Sequence, residues 1–223
     1  MISGRRRMTM GRFLSMGKTT DNFRELVDVT VHQLGNLYSV SLEEKGILLS
    51  SGGAHQQTMY CLSHSGNKYF QGHVDPCNSV MYCNWLYWLS RFAYREDAVR
   101  LADKLYCLNK ALHSVELFYE VELPEVWSCE HPLGSVMGRA KYGNGFFFYQ
   151  GCTVGGNRDR EGNLHYPVIG KNVIMYSDSK IIGKSCIGDH CIIAANTYVK
   201  DEVIPADSVV FGSSPHLVVK RRG

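Results

Sequence analysis

"IGKNVIMYSDSKIIGKSCIGDHCIIAANTYVKDEVI", residues 169–204, is aliphatic or Met at every sixth place: Ile169, Met175, Ile181, Ile187, Ile193 and Val199. Four places after each come Val173, Ser179, Ser185, Cys191, Thr197 and Val203, all small or β-branched. An amphipathic helix repeats at 3.6 residues and a half-buried strand at 2, and neither generates a double ladder at six. A coil of three short strands per turn does, because each side needs one inward aliphatic and one small corner residue. The stretch predicts a parallel β-helix built from hexapeptide repeats.

The count continues upstream more loosely, with Val136, Tyr142, Phe148 and Val154 followed at four places by Ala140, Phe146 and Cys152. Between Val154 and Ile169 the spacing is fifteen, six plus an extra nine, so "GGNRDREGNLHYP" (155–167) contains a loop thrown out of a coil. Loops that interrupt a rigid stack are where sites are built. A stack of about four turns cannot cover its own faces, so a cyclic oligomer is expected.

The amino-terminal half has a different period. Asn22 and Glu25 form a candidate cap pair before Phe23, Leu26, Val27, Val31, Leu34 and Tyr38, and Ser41 with Glu44 forms a second. Ser79 opens a further helical segment, and Ala98, Leu101, Ala102, Leu105, Leu108 and Leu112 make another apolar stripe, for three or four helices in all. Tyr82, Trp85, Tyr87, Trp88, Phe92 and Tyr94 recur at helical spacing and are assigned to packing. The expected organisation is α+β: residues 1–22 a disordered leader, 23–115 a helical domain, and 116–223 the β-helix. The Arg-rich, acid-free leader also fits an organelle transit peptide or a misassigned start codon.

A length of 223 residues and 44% hydrophobic content support a buried core. The 24 Lys+Arg against 21 Asp+Glu leave +3, with no basic run through the body of the chain, so nucleic acid is not expected as a partner. No apolar run reaches membrane-span length. The eight cysteines lack a secretory segment before them and a Cys-x-x-Cys pair, and are read as reduced and buried in a cytoplasmic protein that holds no metal.

The wording of the second half, "EHPLGSVMGRA" (130–140), "YQGCTVGGN" (149–157), "LHYPVIG" (164–170) and "VFGSSPHLVVK" (210–220), resembles the serine O-acetyltransferases and their relatives in surface polysaccharide gene clusters. The resemblance covers about residues 105–220. It implies a left-handed parallel β-helix that moves an acetyl group from acetyl-CoA to a hydroxyl, assembled as a homotrimer or a dimer of trimers. The family's general base falls on His131, with Glu130 in place of the preceding Asp. The acidic residue that orients the base is placed on Glu122, and a second family histidine falls on His165. Leu164 stands where the family carries the arginine that grips the serine carboxylate, and Arg158 or Arg160 is the candidate substitute. By family position Ser177 and Ala195 contact the coenzyme, with Lys200, Lys220 or Arg221 meeting its phosphates.

The chemistry suits these residue types. A hydroxyl attacks a thioester at neutral pH only when its proton is removed as the bond forms, and an imidazole is matched to that task. A carboxylate on the other ring nitrogen fixes the tautomer and stabilises the imidazolium. Alternatives are a sugar O-acetyltransferase of polysaccharide biosynthesis, a hexapeptide-fold zinc carbonic anhydrase using His131, His165 and His190 across a subunit boundary, and a non-catalytic scaffold.

Overall fold

A computed structural model describes residues 10–222, with side chains from Asp21 to Arg222. Five helices come first: α1 (Met10–Leu37), α2 (Leu42–Ser50), α3 (Gly52–His64), α4 (Ser79–Arg95) and α5 (Val99–His113). The extra helix arises because Ser51 both closes α2 and opens α3. Helix α1 begins at Met10, inside the stretch read as leader, and residues 1–9 lie outside the described residues.

Ser41 and Glu44 form the expected reciprocal capping box on α2. Asn22 is not a cap. It lies within α1, where its Nδ2 donates to the Val74 carbonyl at 2.9 Å and its Oδ1 accepts from the Val74 N–H at 3.0 Å. That two-way bond ties the loop after α3 to the first helix. Helix α4 buries Tyr82, Trp85 and Tyr87 completely, as their spacing predicts, and packs against α3 and α5.

The second half is a parallel β-helix of about five coils with three faces. One face stacks β2 (Trp127–Cys129), β5 (Phe146–Phe148), β10 (Ile174–Met175), β13 (Ile192–Ile193) and β16 (Ser208–Ser213). A second stacks β1 (Glu116–Leu117), β3 (Val136–Met137), β6 (Thr153–Gly155), β11 (Lys180–Ile182) and β14 (Tyr198–Lys200). The third stacks β4 (Lys141–Tyr142), β9 (Val168–Ile169), β12 (Cys186–Ile187) and β15 (Val203–Ile204). A terminal strand, β17 (His216–Arg221), folds back antiparallel on β16.

The sixfold ladder is the inward column. Ile169, Met175, Ile181, Ile187, Ile193 and Val199 are each at most 3% exposed, each burial worth about 1.5–3 kcal/mol. The corners turn through left-handed residues, and Asn172, Asp178, Asn196, Asp201 and Asp207 supply several of them, because short polar side chains tolerate positive φ.

Two expected positions differ. Met137, not Val136, points inward and is buried, in register with Val154. Val203 is 77% exposed because the last coil is one residue shorter on this side, so that Ile204 pairs with Ile187 and takes the inward place.

Candidate active site

The corner between the first two faces repeats with a fixed register. Cys129, Phe148, Met175 and Ile193 form its inward column on the approach, and Met137, Val154, Ile181 and Val199 its inward column on the exit. From Phe148 to Val154, from Met175 to Ile181 and from Ile193 to Val199 the step is six residues. From Cys129 to Met137 it is eight. Only the coil that carries His131 has two additional residues at this corner, and His131 and Pro132 are those two.

The insertion explains the backbone of His131. Its φ is +50°, a left-handed conformation uncommon for a residue other than glycine, and the side chain is exposed. Past the insertion the stack resumes: Gly134 N–H donates to the Ser114 carbonyl at 2.8 Å, and Gly151 N–H donates to the Leu133 carbonyl at 2.9 Å. The insertion, more than the positive φ that other corners share, sets His131 apart from the rest of the stack.

The same register places the expected coenzyme contacts. Leu133, Gln150, Ser177 and Ala195 follow one another at this corner on successive coils, linked by the Asp178 N–H to the Gln150 carbonyl and the Asn196 N–H to the Ser177 carbonyl, each at 2.9 Å. Ser177 and Ala195 therefore lie directly along the coil axis from the His131 bulge. Lys220, on β17, sits 5.9 Å from the Phe211 ring centroid on the first face. Lys200 is on β14, on the second face, with its N–H donating to Ser214 Oγ at 3.0 Å.

Outward residues flank the corner on both sides. Before it, Glu130, Tyr149, Tyr176 and Ala194 form one column, since Glu130 N–H donates to the Phe148 carbonyl, Tyr149 N–H to that of Met175 and Tyr176 N–H to that of Ile193. After it come Glu116, Val136, Thr153, Lys180 and Tyr198.

Glu122 is elsewhere. Its carboxylate accepts from Arg91 Nη2 at 3.0 Å, on the surface between α4 and the segment leading into β2, and no bond joins it to His131 among the described residues. The buried guanidinium also donates to the carbonyls of Tyr119 and Val121, so Arg91 draws the whole 119–122 segment, Glu122 included, toward the helices. Two acidic residues flank the His131 corner, Glu130 before it and Glu116 after it; the Glu116 N–H donates to the Ser135 carbonyl at 2.9 Å and its Oε2 accepts from Lys110 Nζ at 2.8 Å, and among the described residues neither carboxylate bonds to His131. No six-residue count leads to Glu116, because the step from Leu117 to its register partner Met137 is twenty residues.

The loop thrown out between Val154 and Ile169 is a two-stranded hairpin, β7 (Asn157–Arg158) against β8 (Leu164–His165). Asp159 organises it, with Oδ2 2.8 Å from His165 Nε2 and Oδ1 accepting from the N–H groups of Glu161 and Asn163. The His165 ring and these donors hold the Asp159 carboxyl down at about 2. Arg158 Nη1 donates to the Gly162 carbonyl at 2.6 Å within the hairpin, while Arg160 and Leu164 are exposed. The hairpin leaves from the opposite end of β6, at the next corner, so one protomer does not bring His165 or Arg158 to His131. Among the described residues of one chain, no group of three or more His, Cys, Asp or Glu forms a metal site, and all eight cysteines are free.

The coil architecture and its placement after five helices are shared with known proteins. A serine acetyltransferase structure from Neisseria gonorrhoeae superposes with a TM-score of 0.68 over 88% of this chain and 78% of its own, at 20% identity. A serine acetyltransferase solved in complex with CoA gives 0.67, covering 86% and 83% at 17% identity.

Its fold is that of the serine acetyltransferases.

In sequence, the chain is similar to the serine acetyltransferase of Staphylococcus xylosus, 27% identical over 135 residues, and to that of Helicobacter pylori (strain ATCC 700392 / 26695), 26% identical over 137. Those alignments take in 60% and 61% of this chain. The chain spans 62% of the length of the first relative and 79% of the second. No family model matches it. No helix among the described residues is long and apolar enough to cross a membrane.

Proposed function

We propose that this serine acetyltransferase-like chain moves an acetyl group from acetyl-CoA to a hydroxyl of serine or a related small acceptor, with His131 as general base. The observation that carries this reading is the two-residue insertion that lifts His131 out of the stack, at the head of the corner on which Ser177 and Ala195 lie. Similarity to serine acetyltransferases, one of them solved with CoA, supports the donor.

In this reading the pantetheine arm of acetyl-CoA follows the corner past Ala195 and Ser177 and delivers its thioester to His131. Lys220, and less directly Lys200, face the phosphates. The acceptor oxygen attacks the acetyl carbonyl carbon as its proton passes to the His131 ring. The carbon–sulfur bond then breaks, and the imidazolium returns the proton to the departing thiolate, releasing CoA and the acetyl ester. Glu116 takes the orienting role that the sequence assigned to Glu122, and Glu130 faces the acceptor. The hairpin with His165 and Arg158 leaves from a different corner, so it reaches this seam from a neighbouring subunit of a trimer or a dimer of trimers.

The test is thiol release from acetyl-CoA with an acceptor panel. His131→Asn keeps a residue that tolerates positive φ, and is expected to lower the rate by roughly 10²- to 10⁴-fold. An undiminished rate would remove His131 from the chemistry.

A further inference from the structure

A cavity of about 440 Å³ lies where the helical half meets the start of the β-helix. Helix α3 supplies Gly53 and Gln57, α4 supplies Arg91 and Arg95, and the segment entering β2 supplies Glu122 and Glu125. No residue of the His131 corner lines it. Helices α3 and α4 run antiparallel, with Asn84 Nδ2 donating to Cys61 Sγ at 3.2 Å further along the pair and Gly53 sharing the cavity with Arg95. One turn in from these two, Gln57 Nε2 donates to the Glu125 carbonyl at 3.1 Å and Arg91 Nη2 to the Glu122 carboxylate. Cations and carboxylates therefore enter the cavity from different elements.

Their pairing is incomplete. Arg91 is 7% exposed and its Nη groups serve the Tyr119 and Val121 carbonyls and Glu122, yet its Nε has no acceptor among the described residues. Arg95, four residues on and so on the same face of α4, is exposed and enters no ion pair among the described residues, and neither does Glu125. A buried donor left open beside a free guanidinium asks for an anion. The start of α3 adds to that demand: Ser51 Oγ donates to the Leu48 carbonyl rather than capping the helix, and Gly53 has no side chain to cover the positive end. Glu125, on the segment opposite, asks for a cation. A plain anion would leave that carboxylate facing it, whereas a ligand with one charge of each sign answers both. Phe92 and Leu123 give the same cavity an apolar wall.

We propose that this cavity binds a free α-amino acid with an apolar side chain, its carboxylate on Arg91 Nε and Arg95, its ammonium on Glu125 and its side chain against Phe92 and Leu123. The site is separate from the one proposed for acetyl transfer. Its occupant bridges α3, α4 and the segment entering β2.

The experiment titrates the full chain with L-leucine, L-methionine and L-phenylalanine, following binding by saturation-transfer NMR and affinity by isothermal titration calorimetry. Two singly charged analogues of leucine, isocaproate and isoamylamine, are run beside them. At least one amino acid is expected to bind, and each analogue to bind about 10-fold more weakly than leucine or worse. Arg95→Gln and Glu125→Gln, both at exposed positions, are each expected to weaken the amino acid about 3- to 10-fold. His131→Asn is expected to bind it with unchanged affinity. Binding by none of the three amino acids overturns the site. Isocaproate bound as tightly as leucine overturns it as well, since the cavity would then hold a plain anion. Affinity untouched by either Arg95→Gln or Glu125→Gln places the ligand elsewhere, and affinity lost in His131→Asn places it at the acceptor site; each result defeats the proposal. Thiol release is not part of this readout, so failure of His131 as base leaves the outcome unaffected.

Discussion

Arg91 and Glu122 are 3.0 Å apart, with the guanidinium side chain 8% exposed and the carboxylate 80% exposed. The pair is lopsided. Arg91 also carries the Tyr119 and Val121 carbonyls and so locks the helical half onto the start of the β-helix, whereas Glu122 is a solvated cap on that lock. Arg91→Met is expected to cost roughly 1–3 kcal/mol, because it leaves the Tyr119 carbonyl unpaired, whereas the Val121 carbonyl keeps the Tyr87 hydroxyl. Glu122→Gln is expected to change stability by less than about 1 kcal/mol, as exposed pairs do. Urea midpoints of the two variants check this, and equal losses would refute the asymmetry.

Glu116 and Glu122 make opposite predictions for turnover. Glu116 is outward beside the His131 corner, and Glu122 is held by Arg91. Glu116→Gln is expected to lower kcat by about 10-fold or more and to shift the pH–rate profile, as loss of an orienting carboxylate does. Glu122→Gln is expected to leave both unchanged. The reverse result would restore the assignment read from sequence.

The backbone at His131 makes a separate prediction about stability. Asn is at home at a φ of +50°, and a β-branched residue is not. His131→Asn is therefore expected to match the parent within about 0.5 kcal/mol, while His131→Val is expected to lose about 1–2 kcal/mol. Thermal unfolding of both, measured alongside thiol release, separates the strain at this corner from its chemistry.

Acid should weaken the helical half. His113 is buried beside Asn109, and burial lowers its pKa to about 4 from the ordinary 6.5. The folded chain thus binds its proton later than the unfolded one. Stability is full above about pH 6.5, declines as pH falls toward 4, and changes no further from this group below that, a loss of about 3 kcal/mol in all. Denaturant midpoints at pH 7.5 and pH 5 follow the decline, and a His113→Gln variant is expected to flatten it.

Close coil packing gives a fourth stability test. A Cβ at Gly143 would overlap the backbone of Gly170 and Lys171 on the next coil, where nothing flexible can yield. Gly143→Ala is expected to cost about 1–3 kcal/mol. A neutral outcome would mean that the coil spacing there is looser than the described geometry.

Much of the architecture is legible because its cause is local and repeated. Ile169 to Val199 at six-residue steps can be buried together only by a three-sided coil, and the extra residues after Val154 can only leave it as a loop. The capping box at Ser41 and the aromatic core of α4 are equally short-range. Other expectations failed where one residue altered the phase. A step of five residues instead of six between Met137 and Tyr142 put Met137 in the place counted to Val136, and a missing residue near Val203 turned that side chain outward. Asn22 reads as a helix cap but serves Val74, a partner fifty-two residues away.

By itself, then, the chain order determined a helical half, a β-helix and an outward loop, because periodicity dictates which side chains must hide together. The tertiary structure alone decided which groups stand around His131. Glu116 and Tyr149 flank that corner through parallel register between coils, and Glu122 pairs with Arg91. Register and long-range hydrogen bonds join residues that no spacing along the chain connects.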